Sequence, residues 1–244
     1  MFWILGLQIL AHLSIIPMLL YGTGMEFLIS ISVYFFTGCI GMSMTFHRFM
    51  AHNSWQPSRW LEAFGVLCGS LGIAGSSLAW TAVHREHHKA ADTIKDPHSP
   101  SHKGFFRVQC LGMLYEPDLR FVQEKLKDPV HQFFHRYYLP INFSYVVILL
   151  ALDPFSIVYA YLFPAAILWE CSSAVNTVGH LWGYKRSNTL DKSKNNPLLA
   201  LMTWGEGWHN NHHSSPSSYY FGKKWYELDV GGQLIHLFNI CRNK

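Results

Sequence analysis

Charge is scarce in this sequence. Asp, Glu, Lys and Arg make up 14% of its 244 residues, against roughly 25% in ordinary soluble domains. That leaves too little to coat a water-soluble enzyme of this length. Cysteine is sparse as well. Cys39, Cys68, Cys110, Cys171 and Cys241 form no CxxC pair, which argues against a disulfide framework or a thiolate metal site. The N-terminus lacks the basic stretch of a cleavable signal peptide, so its apolar run is expected to remain as a membrane span. Lys and Arg are missing from 1–47 and from 137–184; all 19 fall in 48–136 and 185–244. No repeat, low-complexity tract or separable second domain stands out, and 1–244 reads as one domain. Disorder is excluded, because aromatics reach 16% and apolar residues 50%, far from a disordered composition. A mean hydropathy of only +0.09 excludes a chain made of membrane spans alone.

Apolar runs cover about 2–20, 27–46, 138–152 and 155–181. Most are near the roughly 20 residues a helix needs to cross a bilayer. They pair as two hairpins, with turns at Tyr21-Gly22-Thr23-Gly24 and Asp153-Pro154 that carry no Lys or Arg. The positive-inside rule puts those turns outside, and the basic stretches and both termini on the cytoplasmic side. A fifth apolar stretch, 61–80, is rich in Gly and Ser. A single crossing there would split the basic stretches across the membrane. It is therefore expected to lie in the interface, or to dip in and out. The expected fold is an all-α membrane protein: four transmembrane helices as two hairpins, an interfacial helix, and a cytoplasmic helical cap from 81–136 and 182–244.

Histidine is abundant, 15 residues, equal to Asp and Glu together. Nine fall into four groups: His47 and His52; His84, His87 and His88; His180; and His209, His212 and His213. On an α-helix, positions i, i+3 and i+4 share a face, so each HxxHH triplet points one way. His47 and His52, five apart, need a local distortion or a helix end to do the same. Asn176 and His180 share a face. The topology places all four groups at one height, the cytoplasmic membrane face. Desolvated imidazoles packed this densely would repel if charged and lack partners if neutral; metal resolves both problems. Nine nitrogens are too many for one ion and fit two. Imidazole suits zinc, iron, copper and nickel alike. His12, His98, His102, His131, His135 and His236 are read as ordinary structural residues.

The groups His47–His52, His84–His88 and His209–His213 resemble the three histidine boxes of the integral-membrane fatty acyl desaturases. The likeness to the Δ9 branch extends to Gly41–His52, to Trp80–Phe106 with Asp92-Thr93 and Asp96-Pro97-His98, and to Asn176–His180. It also takes in Gly205-Glu206-Gly207-Trp208 and Trp225–Asp229. The resemblance implies a di-iron centre held by His47, His52, His84, His87, His88, His180, His209, His212 and His213, with Asn176 reaching one iron through water. It implies insertion of a cis double bond, Δ9-type, into a saturated acyl chain with O2 and two electrons. The chain carries no cytochrome b5-like domain, so a separate electron carrier is expected.

An acyl chain needs a narrow apolar tunnel. Trp80, Phe46, Phe49 and Trp204 are candidates to line it, Trp80 first because it lies one turn before His84. Glu86, Glu206 and Asp229 are candidates to support the ligands. Glu170, an acid inside the last span, has either a functional role or a partner such as His12 or a serine. The cytoplasmic face carries 19 bases against 12 acids, which suits membrane lipid headgroups and an acidic carrier such as ferredoxin or cytochrome b5. The acyl carrier (CoA, carrier protein or lipid) stays open, and no nucleic-acid partner is expected. Two alternatives remain: a hydroxylase of the same superfamily, and a non-enzymatic membrane metal transporter or sensor.

Overall fold

The uncharged stretches fold into long apolar helices. The structure, a computed structural model, describes residues 2–242; Met1, Asn243 and Lys244, and with them both termini, lie outside the described residues. Helices α1 (Phe2–Leu13) and α2 (Ile15–Tyr21) form one apolar rod, interrupted at Ser14. Thr23 then caps α3 (Gly24–Tyr34), with its backbone N–H donating to Glu26 at 2.5 Å. Glu26, one of the few acids in the apolar half, thus completes a capping box.

Helix α3 runs on as a π-helical segment, Phe35–Ala51. The expected span 27–46 is therefore longer at both ends, a continuous helix over Gly24–Ala51. A π-helix bonds each N–H to the carbonyl five residues back. His52 N donates to His47 O at 3.2 Å in this register, and Thr45 Oγ1 follows it by donating to Ile40 O at 2.8 Å. This winding stacks residues five apart, which is the distortion His47 and His52 require.

The stretch 61–80 is not one interfacial helix. It divides between α4 (Arg59–Leu71) and α5 (Ser77–Ala90), capped by the hydroxyls of Ser58 and Ser76. Between them Ile73 and Gly75 take left-handed φ values of 58° and 92°, which ends the first helix and turns the chain back. Helix α4 packs directly on the π-helical segment. A Cβ on Gly65 would collide with Thr45, and one on Gly69 would lie 2.5 Å from Phe46. The glycines are there for close approach. The chain runs in along the span and α5 carries His84, His87 and His88 back.

Short helices follow: α6 (Pro100–Lys103), α7 (Phe105–Leu111) and α8 (Pro129–Arg136), the last capped by Asp128. Helix α9 (Tyr138–Leu152) has the expected bounds and is only 15 residues long. After a π-helical turn at Val158–Leu162, α10 (Phe163–Leu181) completes a continuous helix. Helices α11 (Pro197–Met202), α12 (His209–Ser214) and α13 (Val230–Arg242) end the fold. The described residues form no strand, only isolated bridges at Tyr184–Asn195 and Asn195–Trp208. Among the described residues three helices, Ile4–Tyr21, Gly24–Ala51 and Val158–Leu181, are long and apolar enough to cross a membrane; α9 is shorter.

Glu170 has its partners. His12 Nε2 lies 2.9 Å from Glu170 Oε1, and Gln109 Nε2 donates to Glu170 Oε2 at 2.7 Å. Gln109 Oε1 in turn accepts from Thr177 at 2.6 Å. This pairing ties α1 and α7 to α10.

Candidate metal centre

All nine box histidines converge, and they divide five and four. His47, His52, His84, His88 and His212 offer nitrogens within 4.8 Å of one another, and so do His87, His180, His209 and His213. The division cuts across the boxes. Helix α5 sends His84 and His88 to one cluster and His87 to the other; α12 sends His212 to the first and His209 and His213 to the second. The i, i+3, i+4 spacing therefore holds two clusters side by side on two short helices. His88 and His213, one from each, stack with ring centroids 4.4 Å apart.

Four carboxylates fix the rings from behind. Glu206 Oε2 takes His47 Nδ1 at 2.5 Å, Asp96 Oδ1 takes His87 at 2.8 Å, Asp92 Oδ2 takes His180 at 2.7 Å and Asp191 Oδ2 takes His213 at 3.1 Å. Burial alone would push these acids up, but their imidazole partners, and at Glu206 the charge of Arg48 and a bond from Ser43 as well, outweigh it. Asp92 is lowered to about 2, and Asp96, Asp191 and Glu206 are lowered too. Each carboxylate is thus ionised and only accepts, so each Nδ1 donates, and in the neutral ring that a metal would require the lone pair is on Nε2.

Nε2 atoms of the clusters face other imidazoles. His47 Nε2 and His88 Nε2 both lie 3.0 Å from His212 Nε2, and His180 Nε2 lies 3.0 Å from His209 Nε2. One ring nitrogen has either a lone pair or a proton, so His212 Nε2 cannot satisfy two neighbours. His87 Nε2 and His213 Nε2 are buried with no hydrogen-bond partner. Protonation is no remedy. Burial, followed by the charge of neighbouring imidazoles, holds His52, His84, His88, His209 and His212 well below the usual imidazole value. Converging nitrogens that cannot satisfy one another, four of them on rings backed by a carboxylate, fit metal cations.

Residues 25–230 match the family model for fatty acid desaturases. The chain belongs to the fatty acid desaturase family. This desaturase is 35% identical to an sn-1 stearoyl-lipid 9-desaturase of Anabaena variabilis, over 87% of its own length and 80% of that protein. It is 33% identical to an sn-1 stearoyl-lipid 9-desaturase of Synechocystis, over 98% and 76%. Over 82% and 73% it is 32% identical to an sn-2 palmitoyl-lipid 9-desaturase of Nostoc. The desaturase is accordingly an oxidoreductase, with histidine clusters able to hold metal.

A cavity of about 150 Å³ opens beside the five-histidine cluster of the desaturase. His47, His84 and Glu206 line it, as do Trp80, Trp204 and Asn176. Trp80 stacks flat on His84, centroids 4.9 Å apart and planes at 9°. Phe46 lies behind Trp80, and Phe49 packs against His131; neither is among the lining residues. Asn176 lines the wall one turn before His180.

Of the supporting acids expected from sequence, Glu206 touches a histidine and Asp229 is one step removed. Asp229 Oδ1 binds Arg48 Nη2 at 2.8 Å, and Arg48 Nη1 binds Glu206 Oε1 at 2.7 Å. Arg48 is fully buried and sits 3.9 Å over the Phe221 ring. Gly205, at φ 112°, lies where a Cβ would strike Asp229, so the backbone there can pass only as glycine. Glu86 Oε1 accepts from Tyr115 at 3.0 Å instead. Sequence reading assigned no role to Asp92, Asp96 or Asp191, or to Arg48 inside the first box. Asp92 lies close behind the second box, which was a signal of proximity only, since its partner is His180. Asp191 gave none, since it reaches His213 from a loop.

Proposed function

We propose that this desaturase inserts a cis Δ9 double bond into a saturated, lipid-linked acyl chain at a di-iron centre held by the nine histidines, with Asn176 reaching the four-histidine cluster through water. One observation carries the reading: a largely apolar cavity has the five-histidine cluster in its wall. Iron bound there supplies, with O2 and two electrons from a separate carrier such as ferredoxin or cytochrome b5, the oxidising power that an unactivated C–H bond demands. The chain's own residues place and shield the substrate. Trp80 forms the wall over His84, and apolar lining excludes water along the cavity. Tyr34, Gly38 and Trp204 line it farther along the span from the histidines, a position suited to the end of the acyl chain. Glu206, Asp96, Asp92 and Asp191 hold four imidazoles in the Nδ1-protonated form. The four-histidine cluster offers one nitrogen fewer, and Asn176, on its side of the cavity, supplies the missing contact.

The membrane reading goes with this. Single domain 1–244 spans the bilayer four times as two hairpins, with α9 as the short third span. The α4–α5 hairpin dips in and returns, and the histidine site and both termini face the cytoplasm. Lipid linkage rests on the names of the relatives. The test is expression in a host lacking desaturases, with defined saturated chains supplied. Monoenes with the bond at carbon 9 are expected in the glycerolipid fraction, with two irons per purified chain. Hydroxy acids without monoenes would overturn the reaction. Turnover of acyl-CoA but not of glycerolipid would overturn the carrier.

A further inference from the structure

The loop at 222–228 leaves two large aromatic side chains in the open. Trp225 is 95% exposed and Tyr226 57%. The loop is nonetheless held firmly. Buried Glu227 accepts from Tyr184 Oη at 2.9 Å and Asn211 Nδ2 at 3.1 Å, and pairs with Arg186 at 2.5 Å. It also accepts from the backbone N–H groups of Lys223 and Lys224, at 2.6 and 3.1 Å. A rigid loop that presents Trp and Tyr to the outside is built for contact.

The neighbouring surface says with what. Tyr226 and Leu228 border a groove of about 360 Å³ shared with Tyr184, Pro197, Leu201 and Trp208. Leu198 and Leu201 of α11 are 68% and 63% exposed. Helix α11 is tied to the long span, because Tyr34 Oη donates to Met202 O at 2.5 Å. The apolar stripe of α11 thus continues the outer surface of a membrane helix, and Trp225, Tyr226 and Leu228 extend it. Lys223 and Lys224 sit beside the aromatics, exposed. Among the described residues, neither ammonium pairs with a carboxylate within salt-bridge distance. Aromatic rings with adjacent lysines, continuous with an apolar face, match the chemistry of a bilayer interface.

We infer that the 222–228 loop anchors the C-terminal part of the desaturase to the membrane surface. Trp225 and Tyr226 seat among the headgroups, Lys223 and Lys224 take the phosphate of an anionic lipid, and the groove takes part of that lipid's acyl chain. This rests on the proposed membrane placement of the helices. It concerns a site apart from the histidine cavity.

The test uses the full-length protein in nanodiscs whose lipids carry bromine near the headgroup end of the chain. The difference in fluorescence between wild type and Trp225→Phe isolates the Trp225 signal. That signal is expected to be quenched by bromolipid and shielded from aqueous iodide. Replacing phosphatidylcholine with phosphatidylglycerol should strengthen the quenching. The K223Q/K224Q variant should weaken that preference roughly fivefold per lysine. A Trp225 signal open to iodide and blind to bromolipid would overturn the anchor, as would one that responds only to an added acidic protein. If the remaining tryptophans were blind to bromolipid too, the membrane placement itself would fail.

Discussion

Glu206→Gln separates metal binding from folding more cleanly than loss of a ligand would. Glu206 bridges two groups: Oε2 holds His47 Nδ1 at 2.5 Å, and Oε1 holds Arg48 Nη1 at 2.7 Å. Glutamine keeps the size and one acceptor. If its carbonyl stays on Arg48, its NH2 faces His47 Nδ1. An NH2 cannot accept, so Nδ1 gives up its proton and Nε2 takes one. The lone pair that faced the five-histidine cluster is lost. Changes to such carboxylates typically cost 10- to 100-fold in metal affinity, or about 1.4 to 2.7 kcal/mol. Arg48, with no exposed surface, keeps only Asp229 as a charged partner, and breaking a buried pair costs about 3 kcal/mol. Purified E206Q is therefore expected to hold about one iron per chain instead of two, with unchanged helix content and a lower melting temperature. Asp229→Asn is the control: Asp229 touches no histidine, so loosening Arg48 and the Phe221 and Gly232 backbone N–H groups it also holds should lower stability while two irons remain. Two tightly bound irons in E206Q would refute the assignment of His47 as a tautomer-controlled ligand. Loss of both irons together with helix content would show a folding defect instead.

Stability of the metal-free desaturase should decline as pH falls. His52, His84, His88, His209 and His212 stay neutral in the fold, whereas the unfolded chain takes up protons below about pH 6.5. The unfolded state then binds more protons, so the melting temperature should drop on acidification from pH 7 to 5; a flat profile would contradict the burial argument. The contribution of Asp92, lowered to about 2 in the fold, should fade only between pH 3.8 and 2. Gly41→Ala would put a methyl group onto the Gly69 backbone; overpacking of this kind costs about 1–3 kcal/mol, seen as a lower melting temperature, and wild-type stability would disprove the close packing of α4. At Gly38 a Cβ would lie 2.9 Å from Trp204 Nε1 and 3.3 Å from Leu168 Cδ1. Gly38→Leu should therefore shift products toward shorter chains in fatty-acid analysis, and an unchanged chain-length profile would show that the acyl end lies elsewhere.

Much of this was legible in the sequence because it depended on strong contrasts. Imidazoles in apolar surroundings marked the site, and the base-free stretches marked the long helices, down to the bounds of α9. Glu170 with His12 was legible as two polar residues stranded in apolar runs. What the sequence hid depends on backbone geometry. Composition cannot distinguish an α from a π hydrogen-bond register, so only the need for distortion between His47 and His52 could be stated. The break at Ile73–Gly75 was concealed in a stretch whose glycines also serve close packing. The division of each HxxHH triplet between two clusters required the mutual placement of α5 and α12. Asp96 and Asp191 escaped notice because their partners, His87 and His213, are met through loops rather than along a helix face.

The interleaving of the two clusters also sets an order of assembly during synthesis. His52 and His84 are 32 residues apart and can meet early. His47 and His212 are separated by 165 residues, and His88 and His212 by 124. The four-histidine cluster draws His180, His209 and His213 from the last third of the chain. Neither cluster can close until α12 has emerged and docked, after the long loops between them have been ordered. On the proposed function, metal loading is a step for the finished chain, and because α12 supplies both clusters, any loosening of that one short helix opens both at once.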